Sequence, residues 1–218
     1  GDAIDQNSDI TTGDVGANIG TITLIADAGD ITMADLTTAQ AGSGLITYTA
    51  TGNVALSLLT TTGNVNVTAD SDNVGGGAIT DNTALENPNI VADTATLIAG
   101  TGIGALGAAD IDTNINNLQA TNNVSGDIYI QEVNGLVIMG TGVRTLGGDG
   151  NINIDVDAGA LTVNSVVTAD GDGNITLNAD SGLITINAVV SSTSGDILIT
   201  GDAIDQNSDI TTGDVGAN

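Results

Sequence analysis

The residues best placed to do chemistry are acids and amides set among glycines. Residues 147–155, GGDGNINID, resemble the glycine-rich nonapeptide turn that binds calcium in stacked coils, with Asp149 and Asn151 as oxygen donors. Ile152 stands where that turn needs its Asp, and the nonapeptide does not recur in tandem, so no neighbouring coil completes the site. Asp170, Asp172 and Asn174 reproduce the first three oxygen spacings of an EF-hand loop. Its sixth position, however, is Ile175 rather than Gly, and its twelfth is Ser181 rather than Glu. Calcium at Asp149, Asn151, Asp170, Asp172 and Asn174 is the one ion-binding expectation, and no other cofactor is implied.

Other chemistries lack their residues. The 218-residue chain has no His, no Cys and a single cation, Arg144. That excludes an imidazole base, a thiolate nucleophile, a disulfide framework and any Lys Schiff base or P-loop. Gly102, Gly104 and Gly107 spell GxGxxG, but the residues that follow, ADIDTNINNLQATNN, favour a strand over the helix a dinucleotide site requires. Asp155 and Asp157 have the pairing a glycoside hydrolase would need. Similar pairs recur along the chain, and turn chemistry accounts for all of them. Arg144 is expected to be a surface charge answering a neighbouring Asp, and no enzyme is expected. A net charge of −26 makes nucleic acid a poor partner. No apolar run approaches the roughly 18 residues of a membrane span.

What must position these residues is a series of short strands. Gly followed by an alternation of apolar and polar residues recurs as GTITLIA (20–26), GNVNVTA (63–69), GNINIDV (150–156), GNITLNA (173–179) and GLITINA (182–188). Alternation gives a strand two faces. Ile175, Leu177 and Ala179 form an inward set, as do Ile184, Ile186 and Ala188, and Val65, Val67 and Ala69. GD, GN, SG and DG between strands supply corner geometry. All acids but Glu86 and Glu132 are Asp, which fits turns better than helices. Paired Gly-to-Gly steps close at 22–24 residues, which predicts an all-β parallel β-solenoid with two strands per coil. A β-sandwich is the competing architecture; the constant period and interchangeable aliphatic positions argue against it.

A longer repeat lies above the short one. Residues 1–18, GDAIDQNSDITTGDVGAN, recur letter for letter as 201–218. The unit is then 1–200, with 201–218 beginning an identical next unit. The chain reads as a window on a longer tandem array with neither end a natural terminus. A duplicated tag is the competing explanation, but the segment continues the strand pattern. About nine coils fit one unit, an axial advance of roughly 43 Å. The stretch 70–125 is less regular and holds the single Pro, Pro88; it is expected to carry an enlarged loop.

Residues 171–200, GDGNITLNADSGLITINAVVSSTSGDILIT, with GTGIGALGAADIDTNINNLQATN (100–122), resemble the repeats of filamentous-haemagglutinin-like bacterial surface exoproteins. The resemblance implies a right-handed parallel β-helix, secretion, and an adhesive or matrix-forming fibre on the bacterial surface. The expected function is a structural, extracellular shaft without catalysis. Its partners would be neighbouring copies end to end, in one chain or as stacked subunits, with lateral fibre contacts and a cell-surface glycan or receptor as further candidates. The alternative is a calcium- or glycan-dependent binding module in which 70–125 makes the contact. Stacked Asp side chains lie within one Debye length, about 8 Å, so divalent cations are expected to stabilise the rod.

Overall fold

The computed structural model describes residues 2–14, 16 and 18–213, and among them there is no helix. The long strands pair in parallel with the strand one coil earlier and the strand one coil later. Ile128 pairs with Ile152, Ile152 with Ile175, and Ile175 with Ile197. The chain is a parallel β-solenoid, as its periodicity predicts. The inward columns are aliphatic: Ile152, Ile154 and Val156 lie in register with Ile175, Leu177 and Ala179, and all six are buried. Burying each large aliphatic side chain contributes about 1.5–3 kcal/mol, and the columns run the length of the rod. Tyr48 is the one aromatic in this core, fully buried among aliphatics.

The coils carry three strands rather than two. One side of a coil has a single five-residue run such as Ile22–Ala26; the other has a pair of shorter strands flanking a bend, such as Val54–Leu56 and Leu58–Thr60. The corners need close approach, and glycine supplies it. Gly126, Gly150, Gly173 and Gly195 stack in one column, and a Cβ on Gly173 would lie 2.2 Å from the Gly150 carbonyl oxygen. A side chain there would push the two coils apart.

The two sides exchange character midway. One column runs Ile4, Ile31, Val54, Ile79, Ile103, Ile128, Ile152, Ile175 and Ile197. Its side holds short pairs up to Ile79–Asp81 and Ile90, and five-residue runs from Ile128–Glu132 onward. The opposite column runs Ile22, Ile46, Val65, Ala95, Leu118, Ile138, Val163 and Ile186, and it changes the other way, from long runs to short pairs. Within residues 1–200, nine levels on one side and eight on the other make eight and a half coils per unit, and Gln206, in register with Ile186, adds a ninth level to the second side. Half a coil has a direct consequence: the repeated segment changes sides. Residues 4–6 top the first column's lower end beside Ile31, whereas residues 204–206 lie on the second column, beside 184–186. Residues 214–218, the end of the repeated segment, lie outside the described residues, as do positions 1, 15 and 17.

The stretch 70–125 holds three loops, 70–77, 82–89 and 104–110, rather than one insert. Two of the longest strands, Ile90–Ala99 and Ile111–Asn122, run through it. The last of these loops folds out between Ile103 and Ile111, which pair with Ile128 and Ile130 of the next coil.

Candidate functional site

The calcium candidates chosen from sequence are corner residues that tie one coil to the next. Asp127 Oδ1 accepts from the Asn151 backbone N–H at 2.7 Å, Asn151 Oδ1 from the Asn174 N–H at 2.9 Å, and Asn174 Oδ1 from the Asp196 N–H at 2.7 Å. In the adjacent column Asp149 Oδ1 accepts from the Asp172 N–H at 3.0 Å, and Asp172 Oδ1 accepts from the Ser194 hydroxyl. Asp170 donates its backbone N–H to Thr145 Oγ1 at 3.1 Å. The geometry brings Asp149 to Asp172 and Asn151 to Asn174, each as a backbone cap. It does not gather their carboxylates into a cluster of three.

Two other acidic groups do converge. The carboxylates of Glu86, Asp110 and Asp112 come within 4.8 Å of one another, and so do those of Asp155, Asp157 and Asp180. Glu86 lies on the 82–89 loop, Asp110 closes the 104–110 loop, and Asp112 stands on the strand that follows. They descend from exposed Glu86 through half-buried Asp110 to Asp112, which is 6% exposed. Alternation puts Asp112 on the outer face, in register with Gln131 and, one coil on, Asp155. The two loops nevertheless bury it.

The backbone beneath this funnel is fully engaged. Asn89 donates its N–H to the Asp112 carbonyl at 2.8 Å, and its Oδ1 accepts from the Asp112 N–H at 2.9 Å. The carboxylates are not. Among the described residues no donor reaches the Asp112 side chain, and Asp110 Oδ1 is buried without a hydrogen bond. Burial, then the charges of Asp110, Glu86 and Asp81, push Asp112 up to about 7. Burial and Glu86 push Asp110 up to about 6.

The second triad is differently furnished. Asn178 Nδ2 donates to Asp155 at 2.8 Å and to Asp180 at 2.6 Å, while Gln131 Nε2 donates to Asp157 at 3.1 Å. Amides already answer these carboxylates, from the neighbouring coil for Asp155 and Asp157 and from two residues away for Asp180.

Glu132 lies in neither group. It follows Ile128 and Ile130 on the inward face and is fully buried, in register with Thr113 and Val156. Glu132 Oε2 accepts from Thr113 Oγ1 at 2.8 Å and the Ile115 N–H at 3.0 Å, and Oε1 from the Asn134 N–H at 3.1 Å. Burial pushes it up to about 7, against the pull of those three donors. Turn chemistry therefore does not cover every acid. The inward parity of Ile128, Ile130 and Glu132 was the available signal for this one.

Arg144 also departs from expectation. It is half-buried, pairs within the sheet with Thr121 and Thr168, and its Nε is buried without a hydrogen bond, so it is not a simple surface charge. Gly104 and Gly107 adopt positive φ in the projecting loop, and no helix follows them, which removes the geometry of a dinucleotide site. No helix among the described residues is long and apolar enough to cross a membrane. Comparison with protein-family models, curated proteins and solved structures returns no match.

Proposed function

We propose that this chain is a shaft segment of an extracellular fibre, a tandem β-solenoid of the kind its resemblance to filamentous-haemagglutinin-like bacterial adhesins implies. One observation carries the reading: the two copies of the repeated segment use opposite edges. Ile4 pairs with Ile31 of the coil after it, and Ile204 pairs with Ile184 of the coil before it. Superposing the copies gives one segment both neighbours. In an array Ile204 would lie between Ile184 and the next unit's counterpart of Ile31.

The exchange of sides makes that junction fit. The next unit's counterpart of Ile22–Ala26 would land on 197–201, a five-residue run on a five-residue run. Its short pairs would land on 204–206 and Ile210–Thr212, themselves a short pair. Successive units are then related by a half turn about the axis, and two units restore the starting orientation. At about 4.8 Å per coil each unit adds about 41 Å. The role is mechanical: continuous inter-coil hydrogen bonds and an unbroken aliphatic core make a stiff rod whose length follows the number of units. Open solenoid ends are adhesive strand edges, which favours continuation into another copy.

The test is a two-unit chain imaged beside the single unit. The expected product is one straight rod longer by about 41 Å, melting in one transition. Two bodies joined by a visible hinge, or two independent transitions, would refute the proposal. Denaturing electrophoresis of the native fibre separates its two forms: a very large polypeptide for tandem units, a band near the unit mass for stacked subunits. A second reading, a cation-dependent binding module on this scaffold, draws support from the donor-free funnel at Asp112.

A further inference from the structure

The funnel of Glu86, Asp110 and Asp112 differs from the other acidic triad in what surrounds it. Asp155, Asp157 and Asp180 face the amides of Asn178 and Gln131. Asp112 is more than nine-tenths buried, points at two further carboxylates, and receives no hydrogen bond at its own. Asp110 contributes a second buried oxygen with no donor. A buried carboxylate without partner or counter-charge costs several kcal/mol, and three converging ones repel each other as well. The nearby Asp81 offers no relief, being an acceptor itself: its Oδ1 takes hydrogen bonds from Thr83 and Asn89.

We propose that Glu86, Asp110 and Asp112 form a divalent-cation site of the calcium class. Ligand oxygens lie 2.3–2.6 Å from calcium, so oxygens on opposite sides of the ion stand about 5 Å apart. Three carboxylates whose oxygens all fall within 4.8 Å fit one such sphere. The donors are hard oxygens from two loops and a strand, an irregular set that suits calcium's flexible coordination better than magnesium's strict octahedron. Water can complete the sphere on the exposed Glu86 side. The position gives the ion a structural task. Asp110 and Asp112 flank Ile111, whose partner Ile130 belongs to the first long run after the two sides exchange character. A cation here ties the 82–89 and 104–110 loops to that switch in the rod.

This site is independent of the tandem arrangement and is testable on the 218-residue chain alone. Calcium chloride is titrated into calcium-free protein by calorimetry, with thermal melting followed in parallel. One saturable equivalent and a rise in melting temperature are expected. Asp112→Asn keeps the backbone bonds to Asn89 and should weaken that equivalent at least tenfold while abolishing the calcium-induced rise. Glu86→Gln, at the exposed rim, should do the same and serves if Asp112→Asn fails to fold. Asp157→Asn, in the amide-bridged triad, should retain both responses. No saturable equivalent in the parent chain, or an equal calcium-induced rise in Asp112→Asn and Glu86→Gln, would overturn the site and leave only diffuse screening of an acidic rod.

Discussion

Gln6 and Gln206 occupy the same place in identical segments, yet Gln6 is 4% exposed and Gln206 lies open to solvent. Tyr48 donates its hydroxyl to Gln6 Oε1, and Gln6 Nε2 donates to the Thr38 carbonyl at 3.2 Å. Gln206 has no coil above it and donates instead to the Ser208 carbonyl at 3.0 Å. The environment of this glutamine reports whether another unit has stacked.

Tyr48→Phe leaves the Gln6 oxygen buried without its donor and should lower unfolding stability by about 1–2 kcal/mol in urea denaturation. Gln206→Ala should change the single unit by less than about 0.5 kcal/mol. In a two-unit chain the same substitution should cost as much as Gln6→Ala. Equal, negligible effects in both chains would show that the second unit does not cover Gln206.

The corner ladder predicts a contrast between a capping amide and an exposed outward side chain. Asn151→Ala removes the acceptor for the Asn174 N–H and a donor to Asp127, and should cost about 1–2 kcal/mol. Thr23→Ala, on an exposed outward position, should stay within about 0.5 kcal/mol. Chemical denaturation of the two variants measures the difference.

Glu132 gives a pH dependence with a defined sign. Its folded value, about 7, lies above the ordinary value of 4.5, so the folded chain holds the proton more tightly than the unfolded chain. Its contribution is fully present below about pH 4.5, falls as pH rises, and levels off above about 7. The loss over that interval is about 3 kcal/mol. Glu132→Gln lacks this titration, so the stability of the parent chain relative to the variant should fall by that amount between the two pH values. A constant difference would place the titration of Glu132 elsewhere.

Gly173→Ala tests the stacked glycine column. Its Cβ would meet the Gly150 carbonyl at 2.2 Å, a backbone atom that cannot swing away. Overpacking of this kind costs about 1–3 kcal/mol, and the variant's melting temperature should fall accordingly. An unchanged melting temperature would mean that adjacent coils can separate without penalty.

The strand alternation made the fold legible. In GNITLNA and GLITINA the inward aliphatics and outward Thr and Asn identify their faces before any contact is known, because side chains on a strand alternate by simple geometry. The same rule, applied to Ile128, Ile130 and Glu132, points that glutamate inward. Taking acids as turn residues obscured it. The spacing of Asp149, Asn151, Asp170, Asp172 and Asn174 suggests an ion, whereas the side-chain oxygens of Asp149, Asn151 and Asn174 cap backbone N–H groups one coil away and that of Asp172 meets the Ser194 hydroxyl. Stacking at a period near 23 residues cannot be read from spacings of two or three.

By itself the sequence determined the alternation, the glycine corners, the coil period and the 200-residue repeat, since each is a local or periodic property of the chain. The tertiary structure alone decided the half coil, because it depends on where loops of unequal length shift long runs from one side to the other. It also decided the funnel. Glu86, Asp110 and Asp112 meet only because two loops fold over an outward position of the strand, burying a carboxylate that alternation would leave in water.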